Sequence, residues 1–477
     1  MRSQGSKASL AAVVCGLSLL GGGCVPVLEN PAREADSTTP TSYGVDGAEE
    51  TGPKAADNSG KLKAAEFFSD PALAGLIDAA VKRNQELNIA SLELIVARSE
   101  VMAREGEYLP HVDLRAGGGV DRPGENLTID EELEDDAGEY VVGLFASWEI
   151  DIWKKLRNAR TAAAKRYLAS IEGKHFLVTN VVAEVAGSYY ELMALDNQLD
   201  ILRQNIQIQQ QALDVVRLQK QAGKVSELAV KRFEAEVLKN RSRQFGIQQE
   251  IIETENRINL LAGRFRQPVM RASQDFMARE PEVVHAGLPA ELLGNRPDVM
   301  RAELEIQAAK LDVEVAKARF YPSLELNAGV ALREAFTLAD FPTSPWSLAY
   351  KVAAELVQPI WNRKGLKAGY FAANSKQMQA VFEYERTILN AYTEVANQLA
   401  MVVNLQKSYD LRQQEVQRLT ESIEISANLF SSARADYMEV LLTRRDALDA
   451  QMELIETKGK QMKAMVKLYR ALGGGWK

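Results

Sequence analysis

The residue types that most often carry enzyme chemistry are scarce in this chain. Only three histidines and two cysteines occur among 477 residues. The histidines His111, His175 and His285 are far apart, and none stands at ligand spacing from another. No phosphate-cradling glycine loop and no serine elbow appears either. The sequence therefore predicts no cofactor, no metal site and no enzyme activity.

Clustered basic charge is absent as well. The chain has 57 Lys and Arg against 65 Asp and Glu, a net charge of -8, and no dense group of cations interrupts that balance. Nucleic acid is therefore not expected as a partner, because binding a phosphate backbone needs a basic surface.

Long hydrophobic runs are missing too. The apolar run from about Ser9 to Leu20 is too short for a permanent transmembrane helix and is typical of a secretory signal over residues 1–24. The small residues before Cys24 make that cysteine a candidate for lipidation, and cleavage elsewhere by an ordinary signal peptidase is the alternative. Cys15 lies inside the signal, so no disulfide is predicted. Residues 25–61 lack an apolar period and are expected to form a flexible strap.

Proline is missing from two long spans. None of the 15 prolines lies between Pro123 and Pro268 or after Pro359. Both spans carry apolar stripes with an average spacing of about 3.5 residues, the pattern of a coiled coil. One reversal in each span predicts helical hairpins over 155–264 and 363–473. The turn residues are Gly223, Lys224, Val225, Ser226, Arg434, Ala435, Asp436 and Tyr437, with Gly223 suited to a helix end and Ser226 or Asp436 to the next N-cap.

The chain also repeats itself. A shift of 212 positions superposes nine identical residues, which include the helix-ending prolines Pro110 and Pro322. We infer a duplicated unit with a first repeat over 62–286 and a second over 287–477. Each repeat holds a helix, a strand pair and a hairpin.

The strand pairs show a period of two. The predicted strands are 112–121, 140–150, 323–333 and 347–357, each apolar on one face. This pattern fits a transmembrane β-barrel, and a soluble sheet packed on the helices is the alternative. The acidic loop 121–139 is expected to be solvated outside the barrel, with cation binding left open. Four strands cannot close a membrane barrel, so further copies of the chain would be needed.

Several motifs resemble those of the TolC-like outer-membrane efflux family, in its lipoprotein (NodT-type) branch. They are Gly287-Leu-Pro-Ala-Glu-Leu-Leu-Gly-Asn-Arg-Pro-Asp-Val, Ala318-Arg-Phe-Tyr-Pro-Ser-Leu, Ser147-Trp-Glu-Ile-Asp-Ile-Trp and Leu468-Tyr-Arg-Ala-Leu-Gly-Gly-Gly-Trp. The resemblance implies a mixed fold of long helical hairpins in an α-barrel and four strands per protomer in a trimeric 12-stranded transmembrane β-barrel. It also implies a lipid-anchored exit duct in the outer membrane. The partners would be outer-membrane lipid, a periplasmic adaptor (membrane fusion) protein and an inner-membrane resistance-nodulation-division pump.

The same resemblance implies a gate after the second hairpin turn. The family pattern there reads Tyr437-Met438-Glu439-Val440-Leu441-Leu442-Thr443 in this chain, which keeps the first acidic position at Glu439 and replaces the second by Leu442. Met438, Glu439 and Leu442 are therefore the candidate gate residues, and a Glu on an ordinary exposed helix face is the alternative. The two turns are the candidate adaptor-docking sites. A periplasmic coiled-coil scaffold or adaptor without its own channel is the competing function.

Overall fold

The computed structural model describes residues 25–28, 33–45, 58–121, 137–337, 347–361, 363–432 and 434–477. The chain divides into two compact units. Unit 1 comprises Met1–Ala35, Glu93–Ser170 and Ala302–Tyr384, and unit 2 comprises Asp36–Leu92, Ile171–Arg301 and Glu385–Lys477. Cys24 and loop residues 122–136, two places where the sequence suggested chemistry, lie outside the described residues.

Helices dominate the described chain. They are α1 (Ala64–Phe67), α2 (Pro71–Arg83), α3 (Gln85–Tyr108), α4 (Lys155–Gln221), α5 (Glu227–Leu261), α6 (Leu292–Asn295), α7 (Pro297–Ala318), α8 (Lys364–Ser431) and α9 (Tyr437–Ala471). Short 3-10 helices occupy Ser59–Lys61, Ser273–Asp275 and Pro289–Glu291. Among the described residues, none of these helices combines the length and the hydropathy needed to cross a membrane.

Unit 1 contains one antiparallel sheet. Its strands are β1 (His111–Asp121), β2 (Ala137–Ile150), β3 (Ser323–Thr337) and β4 (Ser347–Val357), in the spatial order β1-β2-β3-β4. The two repeats thus join where β2 of the first repeat pairs with β3 of the second. The register places four apolar residues side by side across the sheet, Leu114, Leu144, Val330 and Tyr350.

That apolar row faces outward. Leu114, Leu144, Val330 and Tyr350 are 73, 56, 53 and 83% exposed, respectively. The neighbouring row on the opposite face is Asp113, Phe145, Gly329 and Lys351, which includes two charges. The sheet therefore exposes apolar side chains on the face that a water-soluble protein would normally cover, and it carries charge on the other.

The N-terminal strap is described at residues 25–28 and 33–45, and these residues form neither helix nor strand. In unit 1, Val25 and Leu28 pack on a cluster that contains Phe320 and Tyr370. Glu34 pairs with Lys310 of α7 at 2.8 Å. The described parts of the strap thus make specific contacts with the helices of their own unit.

The main core of unit 2 combines α1 and α2 with the hairpin helices α4 and α9. Tyr189 and Tyr469 are almost completely buried there, and Phe67 stacks on Tyr469 with 4.0 Å between ring centroids. The hydroxyl of Tyr189 donates to Asp70, which also pairs with Arg279 at 2.9 Å. Burial, followed by the hydrogen bond to Asp70, raises the pKa of Tyr189 above its ordinary value. These contacts attach the segments before and between the hairpins to the hairpin helices.

Candidate functional site at the hairpin tips

The first hairpin turns through a tight helix end in unit 2. Gly223 has a φ of 73°, the left-handed region that side chains with a Cβ rarely occupy. The Lys224 N–H donates to Gln219 O and the Gly223 N–H to Lys220 O, both at 2.9 Å, which is the Schellman pattern. The Ser226 hydroxyl then accepts from the Ala229 N–H and begins α5. The backbone at this tip is therefore closely defined.

The second tip repeats the pattern with one difference. The Arg434 N–H donates to Leu429 O at 2.9 Å, the counterpart of the Lys224 bond. Asp436 occupies the N-cap position of α9, but its side chain makes no capping hydrogen bond. Ser226 therefore behaves as the sequence suggested, whereas Asp436 caps α9 with its backbone alone.

Charge is concentrated around the first tip. Arg217 pairs with Glu234 at 2.9 Å, and Lys220 and Lys231 both pair with Glu227. Lys220, through its hydrogen bond, holds the pKa of the Glu227 carboxyl below its ordinary value. Glu234 is half-buried and the other groups are solvent-exposed, so the network contributes little to stability and mainly shapes the charge pattern of the tip.

The two tips contact each other inside unit 2. Tyr437 and Leu441 pack against a buried apolar cluster of the first hairpin, made of Leu213, Val216, Ala229, Val230, Phe233 and Val237, with Val225 of the first turn beside it. Arg232 of α5 donates to the Met438 sulfur at 3.0 Å. No local sequence pattern marks Arg232, because its partner lies 206 positions away along the chain.

The other two candidate gate residues face away from this contact. Glu439 is exposed and Leu442 is 40% exposed, whereas Val440 between them is buried. Glu439 and Leu442 lie three positions apart and so share one face of α9. Met438, four positions before Leu442, borders the same face and contacts Arg232. The structure thus places Glu439 and Leu442 on an exposed face of α9, with Met438 at the edge of that face toward the first hairpin.

No metal centre is apparent in the described residues, since no group of three or more His, Cys, Asp or Glu side chains there is arranged to hold an ion. His175 stacks on Trp476 with ring centroids 4.5 Å apart and lies 3.2 Å from Glu172. His111 lies beside Asp113 at 3.1 Å on β1. Both histidines therefore make contacts with nearby side chains of their own unit.

A duplicated pair of long helical hairpins joined to an antiparallel sheet with an exposed apolar face defines an outer-membrane channel subunit. The family model described as outer membrane efflux protein matches residues 76–264 and 288–474, one match per repeat. The chain belongs to the outer membrane efflux protein family.

Two curated relatives align over most of the chain. The solvent efflux pump outer membrane protein SrpC of Pseudomonas putida is 28% identical over 462 residues, which are 96% of this chain and 97% of that protein. The cation efflux system protein CusC of Escherichia coli is 28% identical over 424 residues, 88% of this chain and 90% of that protein.

Solved structures show the same fold. A CusC crystal structure superposes with a TM-score of 0.81 at 25% identity, covering 94% of this chain and all of that one. The open state of the MtrE channel from Neisseria gonorrhoeae gives a TM-score of 0.79 at 23% identity, covering 95% and 98%. The predicted fold class and the predicted role as an outer-membrane efflux component are thereby confirmed.

Proposed function

We propose that this protein is the trimeric exit duct of a tripartite efflux pump. The open sheet of unit 1 is the observation that carries the proposal. Within the described residues, β1 and β4 are the two edges of that sheet, and its apolar face is exposed. Unpaired strand edges and exposed apolar side chains are both costly in water. Three copies pairing β4 with the next β1 would give 12 strands and place the apolar face against lipid.

The duct is a passive one and is not an enzyme. The relatives are named as components of efflux pumps or efflux systems, which supports a transport role rather than an enzymatic one. Its partners would be a periplasmic adaptor and an inner-membrane resistance-nodulation-division pump. The adaptor would meet the two turns, Gly223 to Ser226 and Arg434 to Tyr437, where helix ends present backbone groups. Acylated Cys24 would anchor the mature chain in the outer membrane.

The closing point of the duct would lie near the second tip. Three copies of Glu439 and Leu442 would face the threefold axis and combine an acidic ring with an apolar constriction. Met438, held by Arg232, would fix the start of α9 beside the first hairpin. The contact of Tyr437 and Leu441 with the first hairpin supports this arrangement, because it orients the opposite face of α9 away from that hairpin.

The mass and the conductance of the detergent-purified mature protein test this function together. We expect particles of three chains with threefold symmetry, and channel activity after reconstitution in a planar bilayer. A periplasmic scaffold or adaptor would instead be released from membranes by salt washing and would give no conductance. Monomeric particles that do not conduct would contradict the exit-duct proposal.

A further inference from the structure

The two edge strands of the sheet in unit 1 have the same length. β1 spans His111–Asp121 and β4 spans Ser347–Val357, 11 residues each. Every neighbouring pair in the sheet is antiparallel, so β1 and β4 run in opposite directions. About a threefold axis, β4 of one copy can therefore form an antiparallel pair with β1 of the next. We call this junction between two copies the seam.

A closed barrel limits how the two strands at the seam can be offset. One row of paired residues crosses the sheet from Asp113 through Phe145 and Gly329 to Lys351. If Lys351 met Asp113 of the next copy, the strands would run along the barrel axis, whereas barrel strands tilt by about 35 to 45°. The offset from that pairing must also be an even number of residues, because an odd offset would place apolar side chains of one copy beside charged side chains of the next.

An offset of four residues per copy suits both the tilt and the strand lengths. With a rise of about 3.3 Å per residue and strands about 4.8 Å apart, it gives a tilt of about 35°, whereas an offset of two gives about 19°. In one direction, it pairs His111 with Val357 and leaves no residue of either edge strand unpaired. In the other direction, most of both strands would stay unpaired. An offset of six gives about 46° and sets His111 opposite Pro359, which has no N–H to donate.

The offset of four also matches side-chain size across the seam. β1 contains the consecutive glycines Gly117, Gly118 and Gly119, and a Cβ atom at the first or third would meet no other atom within 4 Å. Tyr350, which is 83% exposed on the apolar face, would lie opposite Gly118 of the next copy, and Lys351 would lie opposite Gly117. A glycine within a strand often marks the close approach of another chain, and an aromatic ring across from it stabilises the pair. The bulky residues of β4 thus meet the open stretch of β1.

On the charged face, the same register gives Arg115 a second partner. Asp113 contacts His111 at 3.1 Å and Arg115 at 3.2 Å on its own strand. Glu355 of β4 is exposed and makes no ion pair within the described part of the chain. The register sets Glu355 opposite Asp113 of the next copy and diagonal to Arg115, about 7 to 8 Å away between Cα atoms, which a long side chain can span. Facing carboxylates repel each other, so an Arg115 guanidinium within reach of both offsets that repulsion.

We propose that the barrel closes by pairing β4 of one copy with β1 of the next in the register that sets Val357 opposite His111. In this seam Arg115 bridges Asp113 of its own chain and Glu355 of the neighbouring copy. The inference rests on the proposed trimeric duct and adds the residues that join its copies.

Disulfide cross-linking in the full-length protein tests the register. Cys15 and Cys24 are the only native cysteines, and neither lies in the sheet. Leu114→Cys combined with Ala354→Cys places two thiols opposite each other at the seam. Within one copy these residues lie on the two outer strands of the sheet, so a cross-link joins different copies. Oxidation of outer-membrane fractions should therefore give covalent dimers and trimers on a non-reducing gel.

Two matched variants move one cysteine along the same face of β1. Val112→Cys or Ala116→Cys, each combined with Ala354→Cys, tests an offset of two or of six. In the proposed register these pairs are diagonal, about 7 to 8 Å apart, beyond the limit of about 6.8 Å for a disulfide, so neither should cross-link. Cross-linking of either variant, or none in the Leu114 variant of a protein that is trimeric by mass, would overturn the register. A protein that is monomeric by mass would contradict the exit duct itself.

Charge exchange tests the bridge made by Arg115. Arg115→Glu should lower the temperature at which the trimer dissociates in detergent, because three carboxylates then meet at each seam. Adding Glu355→Arg should recover most of that loss. The matched control adds Glu325→Arg instead, at a residue paired with Glu355 but one strand farther from the seam, and should recover little. An unchanged Arg115→Glu trimer, or equal recovery by the control, would show that Arg115 does not join the copies.

Discussion

At the scale of single residues, the face of α9 that carries Glu439 and Leu442 is the most informative feature. The family pattern implies a gate role for both residues, because the turn and the residues after it are contiguous in the sequence, and that role stays a prediction. The contact of Met438 with Arg232 could not be foreseen, since Arg232 belongs to a distant helix. Only this tertiary contact shows which side chain of the segment meets the first hairpin.

The Glu439 and Leu442 side chains should affect conduction differently. Glu439→Ala removes a charge that attracts cations, and so should lower cation selectivity. Leu442→Ser replaces an apolar group by one that holds water, and so should raise the resting conductance. Reversal potentials and single-channel currents at equal insertion measure both effects. Glu415→Ala, at an exposed glutamate of α8, is the control. If neither quantity changes in either variant, the constriction lies elsewhere.

Lys458 of α9 is a buried cation that lies over an aromatic ring. The residue is 4% exposed, and its ammonium lies 5.0 Å from the centre of the Tyr409 ring. Burial lowers the pKa of Lys458 below its ordinary value of 10.5, and the charge of Glu280 offsets part of that effect. Between the folded and the ordinary pKa, the unfolded chain binds more protons than the folded one. The contribution of Lys458 to the free energy of unfolding therefore rises with pH between its folded pKa and 10.5.

Lys458→Met should consequently raise the unfolding temperature at neutral pH. The unfolding temperature of this variant should also increase less between neutral pH and pH 10 than that of the wild type. Methionine fills a similar volume without the cost of burying a charge, which outweighs the loss of the ring contact. Thermal unfolding in detergent between pH 7 and 10 measures the change. Lys460→Met, at an exposed lysine that pairs with Glu456, should leave the pH profile as it is. A less stable Lys458→Met protein would show that the contact with Tyr409 dominates.

At the scale of elements, the period-two alternation of apolar residues predicted the strands but not their full lengths or their pairing. The alternation predicted four strands. The structure begins β1 one residue earlier, at His111, and extends two strands further, β2 to begin at Ala137 and β3 to end at Thr337. Those extensions could not be foreseen, because the added residues carry no apolar alternation. The pairing of β2 with β3 across the repeats was equally hidden, since it joins segments more than a hundred residues apart.

A charge on the outward face of β3 should prevent assembly. Val330 belongs to the exposed apolar row, and Asn327 lies on the other face. Arginine on a lipid-facing strand position costs about 2 to 4 kcal/mol near the bilayer centre. Val330→Arg should therefore reduce the amount of heat-resistant trimer in outer-membrane fractions, and Asn327→Arg should not. Equal levels of the two variants would contradict the orientation of β3.

Gly223 permits a comparable test of the first turn. Its left-handed backbone is disfavoured for valine but accessible to asparagine. Gly223→Val should abolish efflux while outer-membrane abundance stays normal, because the distortion is confined to the proposed docking tip. Gly223→Asn should retain efflux. Drug susceptibility with quantitative immunoblotting measures both, and full resistance in the valine variant would remove this turn from the docking site.

At the scale of the whole molecule, the sequence predicts the duplication. It does not predict the contacts between the start of the second repeat and its last helix. The boundary motif Asn295-Arg296-Pro297-Asp298 was recognised only as a resemblance. In the structure the buried Arg296 pairs with Asp298 and with Glu394 of α8, and donates to Ala471 O at 2.8 Å. Asn295 donates to Leu472 O. The motif therefore ties the start of the second repeat to its last helix, and no local sequence pattern encodes such a closure.

Because β1 and β4 are the two edges of the sheet, mutant and wild-type chains should assemble into the same barrel. In the proposed three-chain barrel, one defective chain would inactivate the whole trimer. An inactive allele should therefore be dominant whenever its product still pairs at β1 and β4. With equal expression of wild-type and Gly223→Val chains, random mixing leaves about one trimer in eight wholly wild type. Co-expression should therefore sensitise cells to drugs far beyond a halving of gene dose. A Val330→Arg chain, which cannot enter the barrel, should be recessive in the same assay.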